Sequence, residues 1–302
     1  VNKVFVLPPN EDWIVDRLVR EWNEDNADIC VTNPELADVI WLMSDWCWKK
    51  IPDVLLKSKK VLTTVHHIVP EKFGEQEKID FMMRDEITSV YHVPNQYTHN
   101  FIRNLTEKTI HIIPYWANQN IWKNSLLESK ASLRKKYNIP EDSYVIGSFQ
   151  RDTEGHDLKS PKLEKGPDLL TDFLESLHKK SKRPIHVVLS GWRRQYVINR
   201  LKKSNIDYSY FERPSQKIVN DLYQTLDLYP VTARHEGGPQ SLIECGLLNI
   251  PVVSRPVGIA DSVLSSSTIN DNVELCIPEV PNVDFLKLPY GYKIYRNLIE
   301  SM

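Results

Sequence analysis

The chain has 302 residues, a formal net charge of −2, 41% hydrophobic and 26% charged residues. That length accommodates two domains with separate cores, and the near-neutral charge excludes a general attraction to nucleic acid. No apolar run reaches the roughly 18 residues a membrane-spanning helix needs. The four cysteines, Cys30, Cys47, Cys245 and Cys276, show no CxxC spacing, so a reduced, cytoplasmic chain is expected. The sequon Asn104-Leu105-Thr106 then carries no meaning.

The start, VNKVFVLPPNEDW, reads as a first strand and not as a signal peptide. The missing initiator Met suggests that a few residues precede it. Val4–Leu7 runs straight into Pro8-Pro9-Asn10-Glu11-Asp12, without the glycine fingerprint of a dinucleotide site. Asp12 is a cap candidate for a helix carrying the apolar stripe Ile14, Val15, Leu18, Val19 and Trp22. Further strands are predicted at Val39–Met43, Val61–Val65, Ser89–Val93 and His111–Ile113. Trp41, Trp46 and Trp48, with Lys49-Lys50 next in the chain, admit three readings: an interfacial membrane patch, sugar stacking, or core packing. The paired His66-His67 suggests a metal, but no third ligand is spaced for one.

The second half predicts a helix from Ser132, stopped by Asn138 and Pro140, then strands Tyr144–Phe149, Ile185–Leu189, Tyr208–Phe211, Leu228–Val231 and Pro251–Ser254. Helices fill the gaps at about 167–180, 193–204, 215–225 and 240–248. Asp152–Glu164 is polar and reads as a loop, and Tyr290–Ser301 as a final helix. Arg193-Arg194 with Lys202-Lys203 reads as a solvated helix face. Alternating strands and helices argue for parallel α/β layers, whose ligands bind beyond the carboxyl ends of the strands. Those ends are Gly147–Arg151, Gly191, Phe211–Arg213 and Thr232–Gly238. Eight of the ten glycines lie between 147 and 258, which puts phosphate chemistry in this half.

The most informative stretch is Leu228–Gly258, which reads strand, glycine turn, helix, strand. Gly237 and Gly238 permit close backbone approach, and Pro239 fits a first helical position. The helix N-terminus offers N–H groups to an anion. Glu244, about one and a half turns in, can accept hydrogen bonds from a diol, and Glu236 lies on the far side, where a sugar would sit. The plain alternative is a surface helix with an acidic first turn.

The text E-G-G-P-Q-S-L-I-E-C-G-L-L-N-I-P-V-V resembles the EX7E region of family 4, the group 1 retaining GT-B glycosyltransferases. Gly246 precedes its usual place there, and Asn249 stands where glycine is common. Other phrases resemble the family too. Ile112–Trp122 is similar to its domain exit, with Tyr115-Trp116 in place of Asn-Gly. G-S-F-Q-R-D…E-K-G-P-D-L-L is similar to its "G-R-x…K-G-x-D" text, and Val61–Pro70 to "T-V-H-D-x-x-P". The resemblance is strong over about 112–260 and patchy before, and the chain is short for the family.

The resemblance implies a GT-B α/β fold: two Rossmann-like doubly wound domains, 1–125 and 126–286, facing across a cleft. A terminal helix, 287–302, would cross back to the first. It implies catalytic roles for Glu236, His66, Arg151 and Lys165. Donor contacts would come from Gly237, Gly238, Pro239, Gln240, Ser241, Leu242, Glu244 and Gly191, with Phe211 and Arg213 bracketing the base. The implied reaction moves a sugar from a UDP- or GDP-sugar to a hydroxyl of a glycan or lipid-linked glycan, in polysaccharide biosynthesis, with no metal or other cofactor. Peripheral contact with the membrane inner face accompanies the lipid-linked case. A sugar-nucleotide epimerase of the same fold and a non-catalytic sugar-nucleotide-binding subunit stay open as alternatives. Base, sugar, acceptor, linkage and oligomeric state are not legible.

Overall fold

The structure, a computed structural model, describes residues 1–11, 14–124 and 128–302. The cap candidate Asp12 lies outside them. The chain forms two compact units, 1–116 with 288–302, and 117–287.

The first unit holds a parallel sheet of β1 (Val4–Val6), β2 (Val39–Leu42), β3 (Lys60–Thr64), β4 (Val90–Val93) and β5 (Ile110–Ile112), in that order. Residues 29–31 extend the other side of β1, through Val4 N–H to Ile29 O and Val31 N–H to Val4 O, both 2.9 Å. The chain order therefore reverses at β1, which makes the sheet doubly wound. The central strands β2 to β4 are almost wholly buried on both faces and largely apolar. Helices α1 (Ile14–Asp25), α2 (Asp53–Ser58), α3 (Glu75–Ile87) and α4 (Gln96–Ile102) connect them. Asn95 caps α4 by accepting from Thr98 N–H at 2.9 Å.

An aromatic cluster fills one side of this unit. Trp22 of α1 meets Trp41 of β2 edge-on at 5.1 Å, and Trp116 at 6.0 Å. The last helix of the chain, which becomes α11 in chain order (Tyr290–Ser301), adds Tyr292 and Tyr295. Tyr295 stacks on Trp41 at 5.4 Å, and Tyr292 lies 5.0 Å from Trp116. Trp116 Nε1 donates to the buried Glu21 carboxylate at 2.8 Å. Trp116, of the Tyr115-Trp116 pair that departs from the family phrase, thus helps seat α11. Each such ring buries a large apolar area and gains further from its geometry.

Trp41 and Trp48 are therefore core residues, and Trp46, 42% exposed, is the one member of the triplet at the surface. The reading of the three as one interfacial patch is corrected. No helix of the described residues is long and apolar enough to cross a membrane.

The second unit opens with α5 (Lys130–Lys136), ended by Asn138 at φ 54°. Its strands are β6 (Tyr144–Phe149), β7 (Ile185–Ser190), β8 (Asp207–Phe211), β9 (Tyr229–Val231) and β10 (Val252–Ser254). All pairings are parallel. Gly147 N–H to Leu228 O, 3.0 Å, joins β6 to the β9 side, so the order is β8-β7-β6-β9-β10. The chain starts in the middle, builds outward one way, then returns and builds the other way. Helices α6 (Pro167–Lys180) and α7 (Gln195–Lys203) pack together, as do α8 (Gln216–Gln224) with α5 and α9 (Gln240–Leu248). The core between β6, β7, α6 and α7 is Ile146, Leu170, Leu174, Val187, Leu189, Val197 and Leu201. A short α10 (Ala260–Val263) lies beyond β10.

Candidate functional site

In the second unit the sheet order reverses between β6 and β9. Connections leave to opposite sides there, which opens a crevice at the carboxyl ends of the strands. The β6–α6 connection brings Lys165 and the β9–α9 connection brings Glu236. Lys165 Nζ lies 2.6 Å from Glu236 Oε1, and both side chains are largely buried.

The backbone fixes that meeting. Gly166 caps α6 at φ 61°, and a Cβ there would stand 1.9 Å from Thr232 O. Thr232 Oγ1 in turn donates to Gly166 O at 3.0 Å. Arg234 grips Asp168 with both terminal guanidinium nitrogens, Nη1 and Nη2, at 2.8 and 2.6 Å. Burial works against the charge on Asp168, but the Arg234 fork outweighs it and lowers the Asp168 pKa. The N–H groups of Arg234 and His235 both donate to Glu164 O, and Gln150 Nε2 donates to Lys165 O at 2.9 Å. Gly258, at φ 59°, lies under the turn; a Cβ there would meet Pro239 Cδ at 2.4 Å and Gly237 O at 3.0 Å.

Helix α9 begins at Gln240 with Pro239 as its cap, so Pro239 stands just before the first helical position that the sequence suggested for it. Ser241 and Leu242 lie in the first turn. Gly246 faces Pro281 O, 2.7 Å from a built Cβ. Asn249 ends the helix in the left-handed region at φ 57°, which asparagine tolerates. Both departures from the family text thus have local causes. Glu244 is buried and accepts from Tyr223 Oη at 2.6 Å. Burial first, then the Glu244 charge, holds the Tyr223 pKa well above its usual value.

Arg151 points elsewhere: its Nε donates to Thr153 O at 3.0 Å and its guanidinium lies over Trp192. Arg213 reaches the same ring. Gly191, at φ 101°, donates to Phe211 O at 3.3 Å. The structure thus joins Lys165 to Glu236, Gly191 to Phe211, and Arg151 to Arg213.

Arg194 corrects the reading of a solvated face. It is 0% exposed and binds Asp152 Oδ2 at 2.5 Å, Ser190 O at 2.7 Å and Ser148 Oγ at 2.9 Å. Asp152 and Thr153, read as loop, are buried with it.

His66 belongs to the first unit. Its Nε2 lies 2.7 Å from Met43 O and its Nδ1 meets Tyr115 Oη. A carbonyl can only accept, so Nε2 carries the proton and Nδ1 accepts from the tyrosine. Burial lowers its pKa and keeps the ring neutral. His67 is half-buried. Among the described residues no group of three or more His, Cys, Asp or Glu is arranged to hold a metal, and the four cysteines are free.

Sequence reading missed Trp192, Tyr223, Gly258 and the Arg234–Asp168 grip. Only Trp192 left a signal: an aromatic beside two arginines directly after a strand-ending glycine.

Residues 129–273 match the family model described as glycosyl transferases group 1. The match spans just under half of the chain. The Lys165–Glu236 pair and all of α9 fall within it. No curated protein matches the chain in sequence. Among solved structures, HepE of Anabaena in complex with UDP-glucose is similar, with TM-score 0.71, 13% identity and coverage of 99% of this chain and 91% of that one. Sucrose-phosphate synthase of Thermosynechococcus elongatus is similar with TM-score 0.59, 15% identity and coverage of 89% and 69%. A glycosyltransferase of Rickettsia africae is similar with 0.58, 15%, 90% and 85%. At these identities the likeness shows the fold, which is that of the GT-B glycosyltransferases.

Proposed function

We propose that the protein is a family 4, retaining glycosyltransferase that moves a sugar from a nucleotide-diphosphate sugar to a hydroxyl of a glycan or lipid-linked glycan, without a metal. The observation that carries this reading is the Lys165–Glu236 pair at the switch point, 2.6 Å apart and flanked by the starts of α6 and α9. A leaving diphosphate needs positive charge that does not have to reorganise. Lys165 and the first N–H groups of α9 supply it. Glu236, neutralised by Lys165 at first, takes hydroxyls of the donor sugar once the phosphate claims the lysine. Glu244, already fixed by Tyr223, serves the ribose diol. Gly191 and Phe211 border the base. UDP is the first nucleotide to try, because HepE is described with UDP and with UDP-glucose.

Thermal-shift binding to UDP, GDP, ADP and CMP without metal tests the donor site, on wild type and on Glu244→Gln. A nucleotide at 100 times its dissociation constant adds roughly 2.7 kcal/mol. Stabilisation by one nucleoside diphosphate, much reduced in the variant, is the expected result. No shift with any of the four in folded protein would remove the donor-site reading.

A further inference from the structure

Helix α3 is apolar on two faces. Phe81 and Ile87 are buried against the first unit's core. Ile79, Met82 and Met83 lie on the other side, 48%, 58% and 47% exposed. Steps of three and four residues put these last side chains in one patch. A single exposed apolar residue is ordinary, but three that adjoin form a surface that is stabilised by being covered. Methionine, unbranched and polarizable, suits such contact surfaces.

The charges around the patch point to what covers it. Glu75, Lys78 and Glu86 share the exposed side. Among the described residues neither Lys78 nor Glu86 forms an ion pair within the chain. The other charges of the helix are committed. Glu77 accepts from Gly74 N–H at 3.0 Å. Asp80 holds Lys49 at 2.6 Å and Arg84 at 3.6 Å, and Arg84 also binds Asp45 at 3.0 Å. Asp85 accepts from Thr106 Oγ1 at 2.7 Å. Lys78 and Glu86 each stand four positions from Met82, one before it and one after. Two copies of α3 laid antiparallel about Met82 therefore bring Lys78 of each beside Glu86 of the other, twice by symmetry. The apolar patch is then closed between them. A lipid surface is the poorer cover: α3 carries five acidic residues and two basic ones, the reverse of the balance that anionic membranes recruit.

We propose that the exposed face of α3 is an interface between two copies of this chain, paired antiparallel around Met82. A single helix pair is a small contact, at the weak end of specific interfaces, so the association depends on concentration. The inference stands apart from the transferase reading, which uses other residues.

The test is sedimentation velocity of the full chain at rising concentration. The expected result is a mass that climbs from one chain toward two. Met82→Lys, at an exposed position, should abolish the climb. Lys78→Glu should weaken it roughly tenfold, because like charges then face each other at both ends of the pair. Lys78→Glu combined with Glu86→Lys should restore it. A chain that stays monomeric throughout overturns the proposal; if that monomer floats with phosphatidylcholine vesicles and Met82→Lys does not, the face belongs to lipid. A dimer indifferent to Met82→Lys uses another surface and overturns it as well. A charge swap that fails to recover the dimer weakened by Lys78→Glu overturns the antiparallel pairing.

Discussion

Lys165 and Glu236, 71 positions apart in sequence, meet at 2.6 Å over the point where the second unit's sheet reverses its order. Arg234–Asp168 and Thr232–Gly166 also tie the two loops together. What the pairing does is keep both charges neutralised and in place.

Lys165→Met removes the cation beside the largely buried Glu236 carboxylate and should lower the melting temperature, so its rates are compared at a temperature where both proteins are folded. It should lower kcat for sugar transfer by about 10²–10³, the usual loss when one fixed charge donor at a reacting centre is removed. Initial rates with the nucleotide sugar chosen by the binding screen decide this. A variant as active as wild type would remove Lys165 from the mechanism.

Gly166→Ala and Gly155→Ala should differ sharply. Both glycines have positive φ, but a Cβ at Gly155 meets nothing nearer than Asp157 Oδ1 at 3.3 Å. Its cost should be about 1 kcal/mol, from the left-handed backbone alone. At Gly166 the collision with Thr232 O is added, and a loss of about 2–4 kcal/mol is expected. Urea unfolding of both variants measures the difference.

Arg194→Met strands the Asp152 carboxylate in the core and should cost about 3–5 kcal/mol. The double variant Arg194→Met with Asp152→Asn should recover part of that loss, because the uncompensated charge is gone. A double variant no better than the single one would mean that Arg194 matters through its other partners, Ser148 and Ser190.

Acid stability should depend on His92. This side chain is fully buried in β4, with Thr64 Oγ1, Ile113 O and Tyr295 Oη around its ring. Burial lowers its pKa from 6.5 to about 3, and the nearby His66 and His111 push the same way. Between those values the unfolded chain binds a proton that the folded chain does not. Stability from this group is therefore whole above pH 6.5 and falls as pH drops toward 3, by about 1.4 kcal/mol per pH unit. His66 and His186, also lowered by burial, add in the same direction. His92→Gln should flatten the wild-type slope by about one proton between pH 6 and 4, read from denaturant midpoints at each pH.

The strands of both sheets were legible because buried parallel strands are short apolar runs bounded by turn residues. The helices at 53–58, 75–87 and 96–102 were not read from the sequence. Helix α3 exposes Ile79, Met82 and Met83, so its apolar residues do not form one clean stripe. Glu236, Lys165 and Gly166 were readable from wording that the family shares. Arg194 was not, because a buried arginine is spelled like an exposed one; its partners Asp152 and Ser148, over forty positions away, reveal it. The three roles offered for the tryptophans could not be separated for the same reason: burial is a property of neighbours.

The first unit takes its last helix, residues 290–301, from beyond the whole of the second. During synthesis, domains form as they emerge. Here the second unit has all of its residues while the face of Trp22, Trp41 and Trp116 still waits for Tyr292 and Tyr295. The nascent first half must therefore persist with an uncovered aromatic surface for the time it takes to translate 117–289, until residues 290–301 close it.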